Sequence, residues 1–231
     1  MQKAFLFVSS NVEVAPETDS ELQQVVQSIV SRALVVETPD FVGAAVMIGN
    51  TIITSLFLVR NYTKVNIRFG DGDCAQALVT ARDEQNNIAK LREATLAGTQ
   101  GEPRKKGSHK ASGDPLKIAK LRDIGSPLFT TNTASGRAVV SVAGMSYVTH
   151  LCERKEEMWR IDCGSPRGIM GSGVWNDSGE FLGLSIGQKI PSPFEQSHFE
   201  DSGNPADSVQ KLPRVYALPA EAVLDFAERA T

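Results

Sequence analysis

The chain is poor in the residues that bind metals and cross-link folds. Three cysteines, Cys74, Cys152 and Cys163, and three histidines, His109, His150 and His198, are scattered over 231 residues. None has the close Cys/His spacing of a zinc site, so no metal or other cofactor is expected. An odd cysteine count argues against a complete disulfide framework and favours a compartment in which thiols stay reduced. No apolar run approaches the roughly 18 residues that span a bilayer. Ala4-Phe5-Leu6-Phe7-Val8 is too short for a secretory core region. No cleavage-like site follows it, so it reads as a strand rather than a signal peptide. A net charge of −3 gives no global attraction for nucleic acid or anionic lipid.

What the chain does have is apolar residue in quantity, 41% against 22% charged. That suits one domain of two lobes, or two small domains, with ample core. Thr18-Asp19-Ser20-Glu21 has the form of a capping box. Leu22, Val25, Val26, Ile29, Val30 and Ala33 follow at helical spacing and predict an amphipathic helix. Short β-runs then dominate: residues 41–48, 51–59, 65–69, 76–80 and 88–91, and later 137–142, 145–151, 158–163, 173–175, 181–186 and 215–219. Runs at this spacing predict a barrel or sandwich. Pro219 opens a closing helix to Ala230, with Val223, Phe226 and Ala227 on one face. Between about residues 93 and 115 the chain is Gly-rich and basic, with Arg104, Lys105, Lys106 and Lys110. It cannot bury enough surface to order itself and is expected to be a mobile loop, or a basic contact for an acidic partner.

The densest motif is Gly168-Ile169-Met170-Gly171-Ser172-Gly173-Val174-Trp175-Asn176-Asp177-Ser178-Gly179-Glu180-Phe181-Leu182-Gly183-Leu184. Chemically it is a tight glycine turn feeding a hairpin through Asn176-Asp177-Ser178-Gly179. It resembles the nucleophile loop of chymotrypsin-fold serine proteases, in particular the HtrA/Deg-like branch. Anchored on Asn176, Gly179 and Gly183, the serine of that loop falls on Met170. Other segments resemble the same family in order. Phe41-Val42-Gly43-Ala44-Ala45-Val46-Met47-Ile48 is similar to its Gly-containing strand. Thr51-Ile52-Ile53-Thr54-Ser55-Leu56-Phe57-Leu58-Val59 is similar to the strand ending at the catalytic histidine, with Phe57 in that place. Asn87-Ile88-Ala89-Lys90-Leu91 is similar to the segment that carries the aspartate, with Asn87 in that place. Tyr216-Ala217-Leu218-Pro219-Ala220-Glu221 is similar to the strand-to-helix ending.

The resemblance implies an all-β fold of two packed six-stranded antiparallel barrels, at about residues 35–92 and 125–219, with a helix at each end. Residues 1–231 are expected to form one such domain, and no PDZ domain is expected after it. The expected core includes Val46, Ile48, Ile53, Leu58, Ile67, Val140, Val142, Trp175, Leu182 and Leu184. At the triad positions Phe57 has no titratable group, Asn87 no negative charge and Met170 no hydroxyl or thiol. The implied function is therefore that of a catalytically inactive pseudoprotease, not an enzyme, acting as a protein-binding or scaffold subunit. Phe57 and Met170 are expected to meet across the cleft. Gly168, Ile169, Met170 and Gly171 are expected to keep an oxyanion-type loop, and Leu184, Ser185 and Ile186 a peptide-binding edge. Two alternatives stay open: a serine endopeptidase with a non-standard site using Ser172, and a purely structural subunit of a large assembly. The expected partners are proteins, an extended peptide or a larger complex among them. Nucleic acid is not expected except through the basic loop.

Limited proteolysis is expected to nick the chain first between Arg104 and Lys110. Full protection of that stretch in the isolated protein would show it docked and not a free arm.

Overall fold

The structure is a computed structural model that describes residues 20–70, 72–94, 115–120, 127–133, 139–150, 157–163, 168–187 and 215–229. Thr18, the basic stretch Arg104–Lys110, Cys152, His109 and His198 lie outside these residues, as do the side chains of Val142, His150 and Cys163.

Two closed barrels carry the chain. The first takes β1 (Ala33–Glu37), β2 (Val42–Ile48), β3 (Thr51–Ser55), β4 (Lys64–Arg68), β5 (Cys74–Asp83) and β6 (Ile88–Glu93) in the order β1-β2-β3-β6-β5-β4. The second takes β7 (Pro127–Asn132), β8 (Val139–His150), β9 (Glu157–Cys163), β10 (Gly173–Trp175), β11 (Phe181–Gly187) and β12 (Val215–Pro219) in the equivalent order β7-β8-β9-β12-β11-β10. All named pairings are antiparallel, and β1–β4 and β7–β10 close the two cylinders. Closure removes the unpaired edges that an open sheet would expose. The expected two-barrel all-β fold is what the chain adopts.

Helix α1 (Ser20–Arg32) precedes the first barrel and α3 (Ala220–Arg229) follows the second; α2 (Leu56–Val59) is a single turn between them in sequence. α1 buries Val26 and Ile29, and α3 buries Val223 and Phe226, in one cluster with Val46, Ile53 and Ile88 of the first barrel and Trp175, Leu184 and Leu218 of the second. The helical spacing read from the sequence thus serves a shared purpose: both helices seal the seam between barrels. The interior of each barrel is a separate cluster, around Leu34, Leu58 and Ile67 in the first and Leu128, Ile161 and Leu182 in the second. Of the expected core, Ile48 is only partly buried, and it packs on the seam cluster.

The run 51–59 is not one strand. β3 stops at Ser55 and the chain turns into α2. The reason is local: Leu56 N–H donates to the Asn87 carbonyl at 2.9 Å and Phe57 N–H to the Asn87 side-chain Oδ1 at 3.1 Å. Asn87 supplies the acceptors that the first amides of a helical turn need. The runs 137–142 and 145–151 are one long strand, β8, and β7 was absent from the sequence reading.

The predicted turn at Asn176 forms. Asn176 Oδ1 accepts from the N–H of Ser178 at 3.0 Å and of Glu180 at 2.8 Å, and Gly179 takes φ 74°. Beyond it, Trp175 and Phe181 meet edge to face with centroids 5.1 Å apart, a pair worth about 0.5–1.5 kcal/mol beyond area burial. Gly183 faces a neighbouring backbone: a Cβ there would fall inside contact distance of the Leu218 carbonyl oxygen. Gly183→Ala is expected to cost roughly 2–4 kcal/mol by chemical denaturation. A loss under about 1 kcal/mol would show that the β11–β12 ladder can yield.

Candidate functional site

The site lies where the barrels meet. Asn87 ends the turn between β5 and β6 at φ 54°, the one positive value outside glycine among the described residues. Asparagine tolerates that region better than most residues. From there its side chain holds the N–H of Phe57, so the positions matched to the family's aspartate and histidine are adjacent. The Phe57 ring is half-buried and rests on Phe41, centroids 5.1 Å apart and tilted by 55°.

Met170 comes from the facing barrel. Its carbonyl accepts from Ala44 N–H at 2.8 Å, which sets the glycine loop against the start of β2. Its half-buried side chain packs on the first barrel's cluster and fills the space over Gly187, where an added Cβ would stand 2.6 Å from the sulfur. Neither the Phe57–Phe41 contact nor the Met170–Gly187 contact is the ring–sulfur pairing expected from the sequence. Glycine is required at 171 itself: φ is 81°, and a Cβ would clash with the Ala44 carbonyl and the Thr54 hydroxyl.

The loop's polar groups divide cleanly. The carbonyls of Gly168, Ile169 and Met170 accept from Thr133 N–H, Ser172 N–H and Ala44 N–H. Gly171 N–H donates to Ser185 O at 2.7 Å, so Gly171 is withdrawn from the expected oxyanion-type set. The N–H groups of Gly168, Ile169 and Met170 meet no acceptor among the described residues.

Two further expectations are corrected. Leu184, Ser185 and Ile186 offer no open edge. Leu184 pairs with Gly173 on one side and Leu218 on the other, and Ser185 pairs with Ala217 while its N–H and carbonyl engage Ser172 and Gly171. The Ile186 carbonyl is taken by Asn87 Nδ2 at 2.9 Å and Ser55 Oγ at 3.2 Å. The difference has a local cause: β10 and β12 take Leu184, the loop 168–172 takes the free side of Ser185, and side chains of the first barrel take the Ile186 carbonyl. Ser172 is 0% exposed and its hydroxyl has no partner among the described residues, so it cannot reach a substrate as a nucleophile.

Sequence reasoning missed Phe41 and Val42. They are 39% and 46% exposed, three and two residues before Ala44, whose N–H meets the Met170 carbonyl. Thr38 fixes the preceding turn, its N–H and hydroxyl both bonding the Phe41 carbonyl and its Oγ1 accepting from Phe41 N–H. Thr38-Pro39-Asp40 was a visible turn signal, but nothing in it said that the aromatic would face outward. Beside it the Tyr62 hydroxyl donates to the Asp40 carboxylate. That bond, with some burial and the nearby negative charge, raises the phenol above its ordinary pKa and keeps it protonated. Among the described residues no group of histidine, cysteine and carboxylate side chains could hold a metal.

No family model matches the chain, and no curated protein matches it in sequence. Solved structures do match. Rv3671c from M. tuberculosis H37Rv, as a serine-to-alanine mutant in an inactive form, superposes with a TM-score of 0.64 at 15% identity, covering 94% of this chain and 95% of that one. Rv3671c protease in its inactive form gives 0.62 at 16% identity over 93% and 97%. The serine endoprotease from Yersinia pestis gives 0.65 at 14% identity over 93% and 68%. The expectation that the chain is no enzyme is corrected by this comparison: the structures it resembles are serine proteases, and "inactive form" describes those two structures. What such identities carry over is architecture. The chain has the fold of the trypsin-like serine proteases.

Ser172→Ala removes a buried hydroxyl that bonds to no described residue. Its stability is expected to stay within about 1 kcal/mol of wild type or to rise. Any hydrolysis of unfolded casein by the wild type is expected to survive the change. Hydrolysis that disappears in Ser172→Ala would restore Ser172 as nucleophile.

Proposed function

We propose that the chain takes polypeptide as its ligand: an extended, apolar segment of a partner protein lies in the cleft between the barrels. The observation that carries this is the run of exposed apolar side chains at the start of β2, next to the residue that joins the barrels. Phe41 and Val42 are exposed, half-buried Phe57 rests on Phe41, and half-buried Met170 is joined through its carbonyl to Ala44, two residues beyond Val42. Large apolar side chains rarely stay exposed side by side without a use.

Polar recognition would come from the loop. The N–H of half-buried Met170, which meets no acceptor among the described residues, suits a peptide carbonyl, the one group that every residue of a polypeptide offers. Apolar contacts along Phe41 and Val42 would then select the side chains. The likeness to serine proteases supports the same ligand class, since polypeptide is what such enzymes act on.

Fluorescence anisotropy with labelled, unfolded casein tests the proposal. Saturable binding is expected. The double variant Phe41→Ala, Val42→Ser is expected to weaken it about tenfold, the value of removing part of two buried apolar contacts. Binding that is absent, or unchanged in a variant whose circular dichroism is intact, would overturn the cleft as the polypeptide site.

A further inference from the structure

β11 carries a bulge at Ile186: the register with β12 shifts between Ser185 and Gly187, so Ile186 has no partner in that ladder. A bulge leaves backbone polar groups unpaired. The carbonyl of Ile186 is met instead by two side chains from the other barrel, Asn87 Nδ2 at 2.9 Å and Ser55 Oγ at 3.2 Å. Asn87 Nδ2 also lies 3.3 Å from Ser55 Oγ. The Asn87 amide therefore has one permitted orientation. Its oxygen must face the Phe57 N–H and its NH2 must face the Ile186 carbonyl. Swapping the two would set donor against donor and acceptor against acceptor.

We infer that Asn87 is a positioning residue that clasps the two barrels at the cleft through its NH2 group, and that a carboxylate cannot replace it there. The clasp acts on the strand end that supports Met170. Gly187 follows Ile186 at φ 94° and lies under the Met170 side chain, which packs on the first barrel's cluster, while the Met170 carbonyl accepts from Ala44 N–H. Losing the Asn87 donor leaves the Ile186 carbonyl with the longer Ser55 Oγ bond alone, and loosens the surface on which Met170 rests. The inference depends on the junction geometry alone and not on polypeptide being the ligand.

Asn87→Asp tests it because the change is isosteric and aspartate also tolerates φ 54°. A purely backbone role would leave the variant indistinguishable from wild type. The clasp predicts otherwise. A carboxylate would face the Ile186 carbonyl oxygen, so the ionised form is disfavoured and the folded-state pKa is raised above the unfolded value of about 3.9. The destabilisation is then present above the folded pKa and fades as pH falls through it, because a protonated carboxyl can donate to Ile186. No other titratable group confuses the signal from the packed elements: β3, α2, β11 and the loop 168–172 contain none. On its own turn Asp83 is engaged by Asn86 and Glu84 is exposed, and Lys90 on β6 donates to the Ala227 carbonyl.

Thermal unfolding of the full chain is measured for wild type, Asn87→Asp, Asn87→Gly and Ser55→Ala from about pH 4.5 to 8. Asn87→Asp is expected to lower Tm by roughly 5 °C near neutral pH, with the gap to wild type closing on acidification. Asn87→Gly keeps the backbone conformation and lacks the donor, so its deficit is expected to be independent of pH. Ser55→Ala is expected to show a smaller loss. Should Asn87→Asp be unfolded near neutral pH, folding recovered on acidification supports the clasp. An Asn87→Asp profile that coincides with wild type, or a deficit of equal size at every pH, overturns it. Casein binding measured on the same samples reports separately on the ligand proposal.

Discussion

Among the described residues no β-ladder crosses from one barrel to the other. Closure pairs the strands within each barrel, so the two cylinders are joined by the few strand groups left over and by side chains. The junction is made by first-barrel groups that satisfy second-barrel carbonyls: Ala44 N–H on Met170, and Asn87 Nδ2 with Ser55 Oγ on Ile186. Around them a seam of apolar residues from both barrels and both terminal helices excludes water. Each buried carbonyl left unmet would cost about 1–3 kcal/mol, so these few bonds decide how the barrels face each other.

That constraint also shapes the site. The glycine loop is fixed from three directions by Thr133, Ser185 and Ala44, and the N–H groups of residues 168–170 meet no acceptor among the described residues. Asn87 works in both directions, ending β3 by holding the amides of Leu56 and Phe57, and holding β11 at its bulge. A cleft built this way is positioned by backbone, and its lining residues are free to be apolar. Phe41, Val42, Phe57 and Met170 are of that kind, and the proposed polypeptide ligand would rest on them.

Much of the architecture was legible in the sequence. The Asn176 turn, the alternation of β-runs and the amphipathic helices each have a local cause, and each formed. The order of segments around Gly168–Gly183 and Asn87–Leu91 pointed to two barrels, and the strands close accordingly. Less legible was anything that depended on closure. Leu184, Ser185 and Ile186 looked like an edge because a strand's second neighbour is not written in its own residues. Ser172 looked like a nucleophile because burial is a tertiary property; it is 0% exposed. Phe41 and Val42 went unremarked because an apolar pair at a strand's start reads as core. The step from missing side chains at positions 57, 87 and 170 to a missing activity was the weakest inference, and the comparison with serine proteases corrects it.

The central claim is that polypeptide binds at the barrel junction. Amide hydrogen exchange of the full chain, with and without saturating unfolded casein, tests it most directly. The account predicts added protection concentrated at residues 41–44 and 168–171. Protection confined to the outer strands β4 and β5, with the junction unchanged, would contradict it.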